Sequence, residues 1–449
     1  MEFKNQWMTV ARASVLWLAT ASVAGAYELY GDERAQLNFD GEAVFGAFHS
    51  RESYAQSGTR KEGSSGWREG YLKYGFSGDY QISADKGKGL VYGKLNAVSS
   101  ATFGDGDAAG WTTGKERRTH VEDAYLGWRS GQLFPALGAN GLDISFGRQQ
   151  VVVGDGFLIA GDALSFGQEI SGGALNRGGA YYLGGRKAFS GTAVVRLGGD
   201  QGWRGDLMWI KSDNPAHAKP EMAVAVLEHV AQTGTVGATF IKVLDTDKDF
   251  DFAYPGRKGL KTYSLRAQGN AGVENLFLAS QYAYQDKRSG SENAWYLEGG
   301  WTFSEFSWKP SVNYRYSRFS GSFDPLFYGN GRGGALGTWF QGEVAANYAG
   351  PFNTNTRVQH AAIKAQPTDT VGLGVLLYDF KTIDSGVGAF RNLNAREMDV
   401  YVDWAINPNF YVMSLLGVYK PATDLAGGGS QIGNSKTNVY GQFIFAATF

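Results

Sequence analysis

The sequence predicts an all-β protein: a transmembrane, antiparallel, up-and-down β-barrel of about 18 strands with long outer loops. Three observations favour this class. Alternation of apolar and polar residues recurs along the chain in runs of about 10 to 14 residues, roughly twice the mean strand length of soluble proteins. Tyrosine (24 residues) and tryptophan (12 residues) are abundant and concentrate near the ends of those runs, as in interfacial girdles. After the N-terminus, no apolar run approaches the roughly 18 to 20 residues of a membrane-spanning helix.

Two segments show the alternation most clearly. Residues 306–317 (FSWKPSVNYRYS) carry apolar side chains at most even positions and polar side chains at most odd positions. Residues 395–406 repeat the pattern, with Val400 and Trp404 on the apolar face. Successive side chains of a strand point to opposite faces. In a closed barrel the apolar face therefore contacts lipid, and the polar face lines the lumen.

Counting such runs gives about eighteen strands, an even number, as expected when both ends of the chain lie on the same side of the membrane. Residues 337–349 also alternate, but a crossing there would make the number odd, so we assign 319–355 to one long outer loop. The other long outer loops are predicted at 49–66, 154–187 and 421–436. Strands are predicted at 35–48, 67–82, 88–101, 118–129, 141–152, 188–198, 203–212, 222–231, 235–245, 260–269, 275–286, 293–303, 306–318, 356–366, 370–381, 395–406, 409–420 and 437–449.

Both ends of the chain carry features of an exported barrel. Residues 1–26 contain Lys4 and Arg12, a largely apolar run and an Ala-Gly-Ala end, which together predict a Sec signal peptide cleaved near Ala26. The remaining residues, 27–449, are predicted to form one barrel domain in the outer membrane of a Gram-negative bacterium. The last strand ends on Phe449, which resembles the signal read by the barrel-assembly machinery. Expected partners are that machinery, outer-membrane lipid and lipopolysaccharide.

Composition argues against several other functions. Lys and Arg (42) nearly balance Asp and Glu (43), so the chain offers no basic field for nucleic acid. It has no cysteine, and its five histidines show no metal-ligand spacing, so we predict no cofactor and no metal site. A loop pair, Asp213 and His217, and an Asp-rich run at 245–252 are weaker candidates for catalysis and for loose calcium binding. We do not predict an enzyme.

Alternation also assigns the side chains that face the lumen. Most basic ones lie on strands between 188 and 366 and most acidic ones near the two ends of the chain, so we expect the two signs on opposite walls. A one-signed wall concentrates anionic solutes; the alternative is that these charges merely solvate the interior and pair with one another. The predicted basic residues are Lys73, Lys94, Arg129, Arg196, Arg204, Arg266, Lys309, Arg315 and Lys364, and the acidic ones are Glu69, Asp123, Asp143, Asp206, Glu298, Glu397, Asp399 and Asp403.

The loops at 154–187 and 319–355 are rich in glycine and in aromatic residues. Flexible joints and apolar side chains favour folding into the barrel, which would narrow a lumen too wide to be filled by wall side chains alone. Glu343 and Arg332 would then reach the opposite wall. Packing of the loops against each other outside the barrel is the alternative.

Residues 143–162 (DISFGRQQVVVGDGFLIAGD) resemble the strand-and-loop signature of the alginate-export family of outer-membrane barrels. Segments 323–329 and 337–343, and the turn at 367–369, are similar to further parts of that family. The resemblance implies an eighteen-stranded barrel that passes an anionic uronate polymer through an Arg- and Lys-lined constriction, with Arg148 and Gln149 on the matching motif.

The resulting functional prediction is passive, loop-gated passage of an anionic saccharide or polysaccharide, with periplasmic export components as a further candidate partner. Two alternatives stay open: a general porin or one for another substrate, and a barrel used as an outer-membrane enzyme or adhesin.

Overall fold

Eighteen long antiparallel strands close into a barrel in a computed structural model, which describes residues 26–83, 87–329 and 341–449. Each long strand pairs with the next one along the chain, and the first pairs with the last, where Phe45 lies opposite Phe445. Closure leaves neither edge of the sheet with unpaired backbone groups, as a lipid environment requires. The predicted fold class is confirmed.

The barrel consists of β2 to β6 and β9 to β21, and all eighteen predicted strands are present. The short strand β1 extends the sheet by pairing with the first residues of β2, and β7 pairs with β8 inside a loop. Successive barrel strands are joined mostly by short connections at one end and by longer ones at the other, here called the turn end and the loop end; the two-residue connection between β14 and β15 at the loop end is an exception. The strands are β1 (Tyr27–Gly31), β2 (Ala35–Ser50), β3 (Ser65–Gln81), β4 (Leu90–Gly104), β5 (Arg117–Arg129), β6 (Leu142–Gln149), β7 (Val152–Val153), β8 (Ile159–Ala160), β9 (Phe189–Leu197), β10 (Gly202–Lys211), β11 (Glu221–Ala231), β12 (Gly234–Asp245), β13 (Lys261–Gly269), β14 (Leu276–Lys287), β15 (Gly290–Thr302), β16 (Ser311–Phe319), β17 (Thr356–Thr368), β18 (Val371–Thr382), β19 (Ala395–Asn407), β20 (Phe410–Pro421) and β21 (Asn438–Thr448).

Helical structure is sparse in the part of the chain that the structure describes. It comprises short 3-10 turns at Pro135–Leu137, Ile170–Gly173, Pro215–His217 and Lys248–Ala253, and a π-helical turn at Ala345–Ala349. No helix among these residues is long and apolar enough to cross a membrane.

One strand begins later than its alternation predicted. β16 starts at Ser311, because Pro310 has no N–H to donate to the ladder and the two residues before it, Trp308 and Lys309, have positive φ angles of 67° and 40°. Residues 303–310 form a turn at the turn end instead. The alternation at residues 306–310 therefore precedes the first residue of the strand and is a coincidence.

The outward face of the barrel is apolar. Large side chains such as Leu265, Leu297, Leu416 and Tyr314 are exposed there, while their neighbours along each strand point inward and are buried or paired. This pattern matches the predicted lipid-facing band.

Two loops extend into the barrel from the loop end. In the first inserted loop (residues 150–188), Phe157 and Ile159 pack against inward side chains such as Tyr296. In the second inserted loop (described residues 320–329 and 341–355), Val344 and Tyr348 pack against inward residues on the opposite side of the barrel. Because the wall residues in both clusters belong to the inward face, the described parts of both loops lie inside the barrel, as predicted.

Several predicted features lie outside the described residues. These are the signal peptide through residue 25, part of the turn at 85–87, and residues 330–340 with Arg332. The strand-like pattern at 337–349 does not continue as a strand where the structure describes it, because residues 345–349 form the buried π-helical turn.

Candidate functional site

Three arginine side chains converge on one carboxylate where the first inserted loop meets the wall. Asp213, directly after β10, accepts from Arg148 on β6 at 2.5 Å, from Arg177 at 3.3 Å and from Arg186 at 3.4 Å. Arg177 and Arg186 belong to the inserted loop and are buried, whereas the side chains of Arg148 and Asp213 are 19% and 34% exposed. The arginine cluster, as we name these four residues, is therefore accessible to water on its Arg148–Asp213 side.

A second aspartate, Asp162, binds Arg177 on the buried side of the cluster. Asp162 is fully buried, pairs with Arg177 at 3.2 Å, and accepts from Ser212 and from the Asn214 side chain, both at 2.7 Å. These bonds tie the inserted loop to the chain that follows β10. Its carboxylate is held by neutral donors as well as by Arg177, so Arg148 and Arg186 rely mainly on Asp213 for compensation.

The pKa values in the cluster reflect crowded positive charge. Burial, followed by the nearby Arg177 guanidinium, lowers the pKa of Arg186 to about 10. Burial acts to raise the pKa of Asp213, but Arg177 and the hydrogen bond from Arg148 outweigh it, and the pKa lies below its usual value. Asp213 therefore stays ionised, and the cluster keeps an excess of positive charge.

The predicted basic wall is paired with carboxylates on adjacent strands. Arg129 lies 3.1 Å from Asp143, and Arg196 lies 4.0 Å from Asp206. Lys73 and Lys94 likewise lie within 4.0 Å of carboxylates on β2. The expectation that opposite signs occupy opposite walls is wrong, since the charges alternate around the wall and pair locally.

Arg204 and Arg266 share a single partner, Glu228. Arg266 reaches it across β12 because the intervening position is Gly237, where a Cβ would lie only 3.0 Å from the Glu228 side chain. This triad carries one net positive charge, and the Arg204 side chain is 42% exposed.

Of the three remaining predicted basic residues, two are not open wall positions. Lys309 lies in the exposed turn before β16, outside the strands, for the reason given above. Arg315 is fully buried and donates to Gln341 of the second inserted loop at 3.3 Å. Lys364 is partly buried on β17.

Three of the predicted acidic residues, Glu298, Asp399 and Asp403, are inward but covered. Glu298 is buried and accepts from Asn313 at 3.0 Å. Asp399 is fully buried beneath the second inserted loop, and Asp403 is nearly so. They do not form an open acidic wall.

Gln149 is buried and donates to Ser145 and Thr192, which joins β6 to β9. It stabilises the strand next to Arg148 and is itself covered from water. Alternation could not identify Arg177 and Arg186, because it assigns only wall residues and these two arrive on a loop.

The weaker candidates for other chemistry have structural partners. His217 is buried between Tyr254 and Phe327, with ring centroids 5.9 and 4.3 Å away. In the Asp-rich run, Asp245 pairs with Lys258 and Asp247 with Lys219.

Comparison with known proteins identifies the fold. No family model matches the sequence, and no curated protein matches it. Solved structures do match. OpdQ of Pseudomonas aeruginosa superposes with a TM-score of 0.55 at 10% identity, and OccK5 (OpdH) of the same species with 0.54 at 7%. OccAB4 of Acinetobacter baumannii gives 0.52 at 10%. Each comparison covers 92% of this chain and 98% of the other.

These matches correct the resemblance to the alginate-export family, which is wrong. The similar structures are Occ and Opd barrels, and no family model supports the motif at 143–162. Its short Gly-Arg-Gln element coincides with the end of β6, where Arg148 enters the arginine cluster. At these identities the likeness concerns architecture: the chain has the closed, eighteen-stranded barrel fold of these structures.

Proposed function

We propose that this chain is an outer-membrane porin that lets small hydrophilic solutes, preferentially anions, diffuse passively through the barrel. The observation that carries the proposal is the arginine cluster, in which three guanidinium groups converge on one partly exposed carboxylate at the point where an inserted loop meets the wall. The apolar outer face and the closed sheet support a membrane-spanning barrel.

The inserted loops favour small solutes over a polymer. A barrel of about eighteen strands is too wide to be filled by its own wall side chains. Here Phe157 and Tyr348 bring apolar clusters into the lumen from two sides. The space left for a solute is therefore a restricted path bordered by the loops, and a path of this kind selects by size as well as by charge.

The excess positive charge gives this path an anion preference of modest size. At about 8 Å and an effective dielectric constant of about 20, one uncompensated charge attracts an anion by about 2 kcal/mol. Screening over a length of about 8 to 10 Å leaves about 1 kcal/mol, or roughly a fivefold local enrichment. The exposed Arg204 of the Glu228 triad adds a second positive position deeper in the barrel.

Location and assembly follow from the same proposal. Phe449 pairs with Gly41 through two backbone bonds of 2.7 Å and leaves its ring half exposed near the closing seam. This geometry supports recognition of the last strand by the barrel-assembly machinery before closure. The proposed surroundings of the apolar band are outer-membrane lipid and lipopolysaccharide, reached after export by the N-terminal signal.

Liposome swelling tests this function. Proteoliposomes should admit arabinose, and they should admit the anion gluconate faster than a neutral sugar of similar size. R148Q/R186Q should reduce the gluconate-to-neutral ratio severalfold, because the Asp162 and Asp213 carboxylates then outnumber the one remaining guanidinium group, that of Arg177. R396Q removes an exposed arginine outside the cluster and should leave the ratio unchanged. A folded barrel that admits no solute would contradict the proposal and favour the enzyme or adhesin alternative.

A further inference from the structure

Three buried carboxyl groups meet beneath the part of the second inserted loop that lies deepest in the barrel. Glu343 belongs to the lumen segment, which we define as residues 341–350, and Glu397 and Asp399 lie on β19 beneath it. Their exposed fractions are 1%, 3% and 0%. Three carboxyl groups so close together and so far from water cannot all ionise without strong repulsion.

The lumen segment is attached to the wall through these groups. The two oxygens of Glu397 accept from the backbone N–H groups of Val344 at 2.7 Å and Ala345 at 2.9 Å. Tyr182 of the first inserted loop donates to Glu343 at 2.6 Å. Both oxygens of Asp399 are buried, and its polar neighbours are the Glu397 side chain and the backbone of Glu343. The seat of the segment is therefore acidic.

Among the residues that the structure describes, the surrounding elements supply little positive charge at short range. On β16, Arg315 donates to Gln341 at the start of the segment, and on β17, His360 stacks on Tyr378 with ring centroids 4.5 Å apart. A further buried carboxyl group, Glu69 on β3, accepts from the backbone N–H of Leu183. The remaining titratable groups that face the cluster are tyrosines, namely Tyr54, Tyr182, Tyr348, Tyr378, Tyr419 and Tyr440.

We propose that the lumen segment is a pH-operated obstruction of the pore. It stays seated on β19 while the carboxyl cluster holds protons, and it lifts when Glu343, Glu397 and Asp399 ionise and repel one another. Conductance should then rise with pH. This inference rests on the proposed porin function and adds a mode of regulation to it.

The direction of the pH dependence follows from linkage. Burial, with the adjacent Glu397 acting in the same direction, raises the pKa of Glu343 to about 8. In a lifted segment, water would return this pKa towards about 4.3. Between these values the seated state binds more protons than the lifted state, so seating is favoured at the acidic end of the window and weakens as pH rises towards 8.

Single-channel recording between pH 5 and pH 9 tests the proposal. The wild-type protein should show a larger conductance or a higher open fraction at high pH, by at least about tenfold in the open-to-seated ratio, the equivalent of one pKa unit. E343Q and D399N remove charges that would repel, and they should stay in the low-conductance state to higher pH. D403N removes a carboxyl group from the same face of β19 outside the cluster, and it should keep the wild-type response.

A structural readout separates lifting from other effects on conductance. Because the chain has no cysteine, A349C in the buried segment and S385C in an exposed loop can each be labelled alone. The ratio of their labelling rates should rise with pH in the wild-type background and stay low with E343Q. A protein that conducts equally at every pH, or a response that E343Q and D399N leave intact, would overturn the pH inference alone. A barrel silent at every pH would instead overturn the porin proposal.

Discussion

Loss of one buried ion pair should release part of the second inserted loop without unfolding the barrel. Arg257, in the loop after β12, donates through Nε at 2.7 Å and through Nη2 at 2.5 Å to Asp324 of the second inserted loop. Both side chains are almost completely buried. R257M leaves the Asp324 carboxylate buried without its cation, which costs about 3 to 5 kcal/mol. The open state of residues 320–329 should therefore become about two to four orders of magnitude more populated.

Hydrogen exchange measured by mass spectrometry on the detergent-solubilised barrel gives this population directly. Peptides covering 320–329 should lose protection in R257M, while peptides from β19 keep theirs. Lys258 follows Arg257 in the same loop and forms an exposed ion pair with Asp245 at the end of β12. K258M should change the protection of 320–329 little, because surface ion pairs contribute about 0 to 1 kcal/mol. R257M/D324N removes both charges and should recover part of the protection.

The same variant should reverse a pH dependence. Burial acts to raise the pKa of Asp324, but the Arg257 guanidinium outweighs it and holds the pKa below its usual value. The wild-type loop therefore loses stability only as the solution becomes strongly acidic. In R257M burial is opposed only by the smaller effects of the Leu326 N–H and of Lys287, so acid should restore protection. Equal protection of 320–329 in R257M and the wild-type protein at neutral pH would refute the structural role of this pair.

Two further predictions concern the barrel and its contents. The protein should be heat-modifiable, with faster migration before boiling than after, because a closed sheet resists detergent until heated; equal mobilities or a helical circular dichroism spectrum would contradict the barrel. F157A should cost about 3 to 5 kcal/mol locally, because the ring is buried against Tyr296 and Phe319 at centroid distances of 5.5 and 5.8 Å. It should speed exchange at 155–160, whereas F146A on the exposed outer face should not.

The wall of the barrel could be predicted from the sequence because one constraint acts on every strand. Lipid outside and water inside force a period of two, and this sufficed to locate all eighteen strands. The period of two placed Lys309 in a strand by mistake. The alternation happens to extend to residues before Pro310, but β16 begins only at Ser311. Alternation of apolar and polar residues indicates which face of the sheet a side chain occupies. Where the strand begins is decided by the backbone hydrogen bonds between strands.

Charge pairing was beyond the reach of that pattern. The positions of Arg204 and Arg266 as inward residues were predictable, but their shared partner Glu228 depends on register and on the missing side chain of Gly237. The arginine cluster was harder still to foresee, because Arg177 comes from a loop whose path is fixed by packing in three dimensions. The family resemblance failed for a related reason: a short strand-end motif says little about what the loops place in the lumen.

The reversal potential of the reconstituted pore under a salt gradient tests the central proposal most directly. We predict an anion-selective potential at low ionic strength that weakens as salt rises, and that declines towards zero in R148Q/R186Q but not in R396Q. A cation-selective potential, or an anion preference that R148Q/R186Q leaves unchanged, would contradict the role assigned to the arginine cluster.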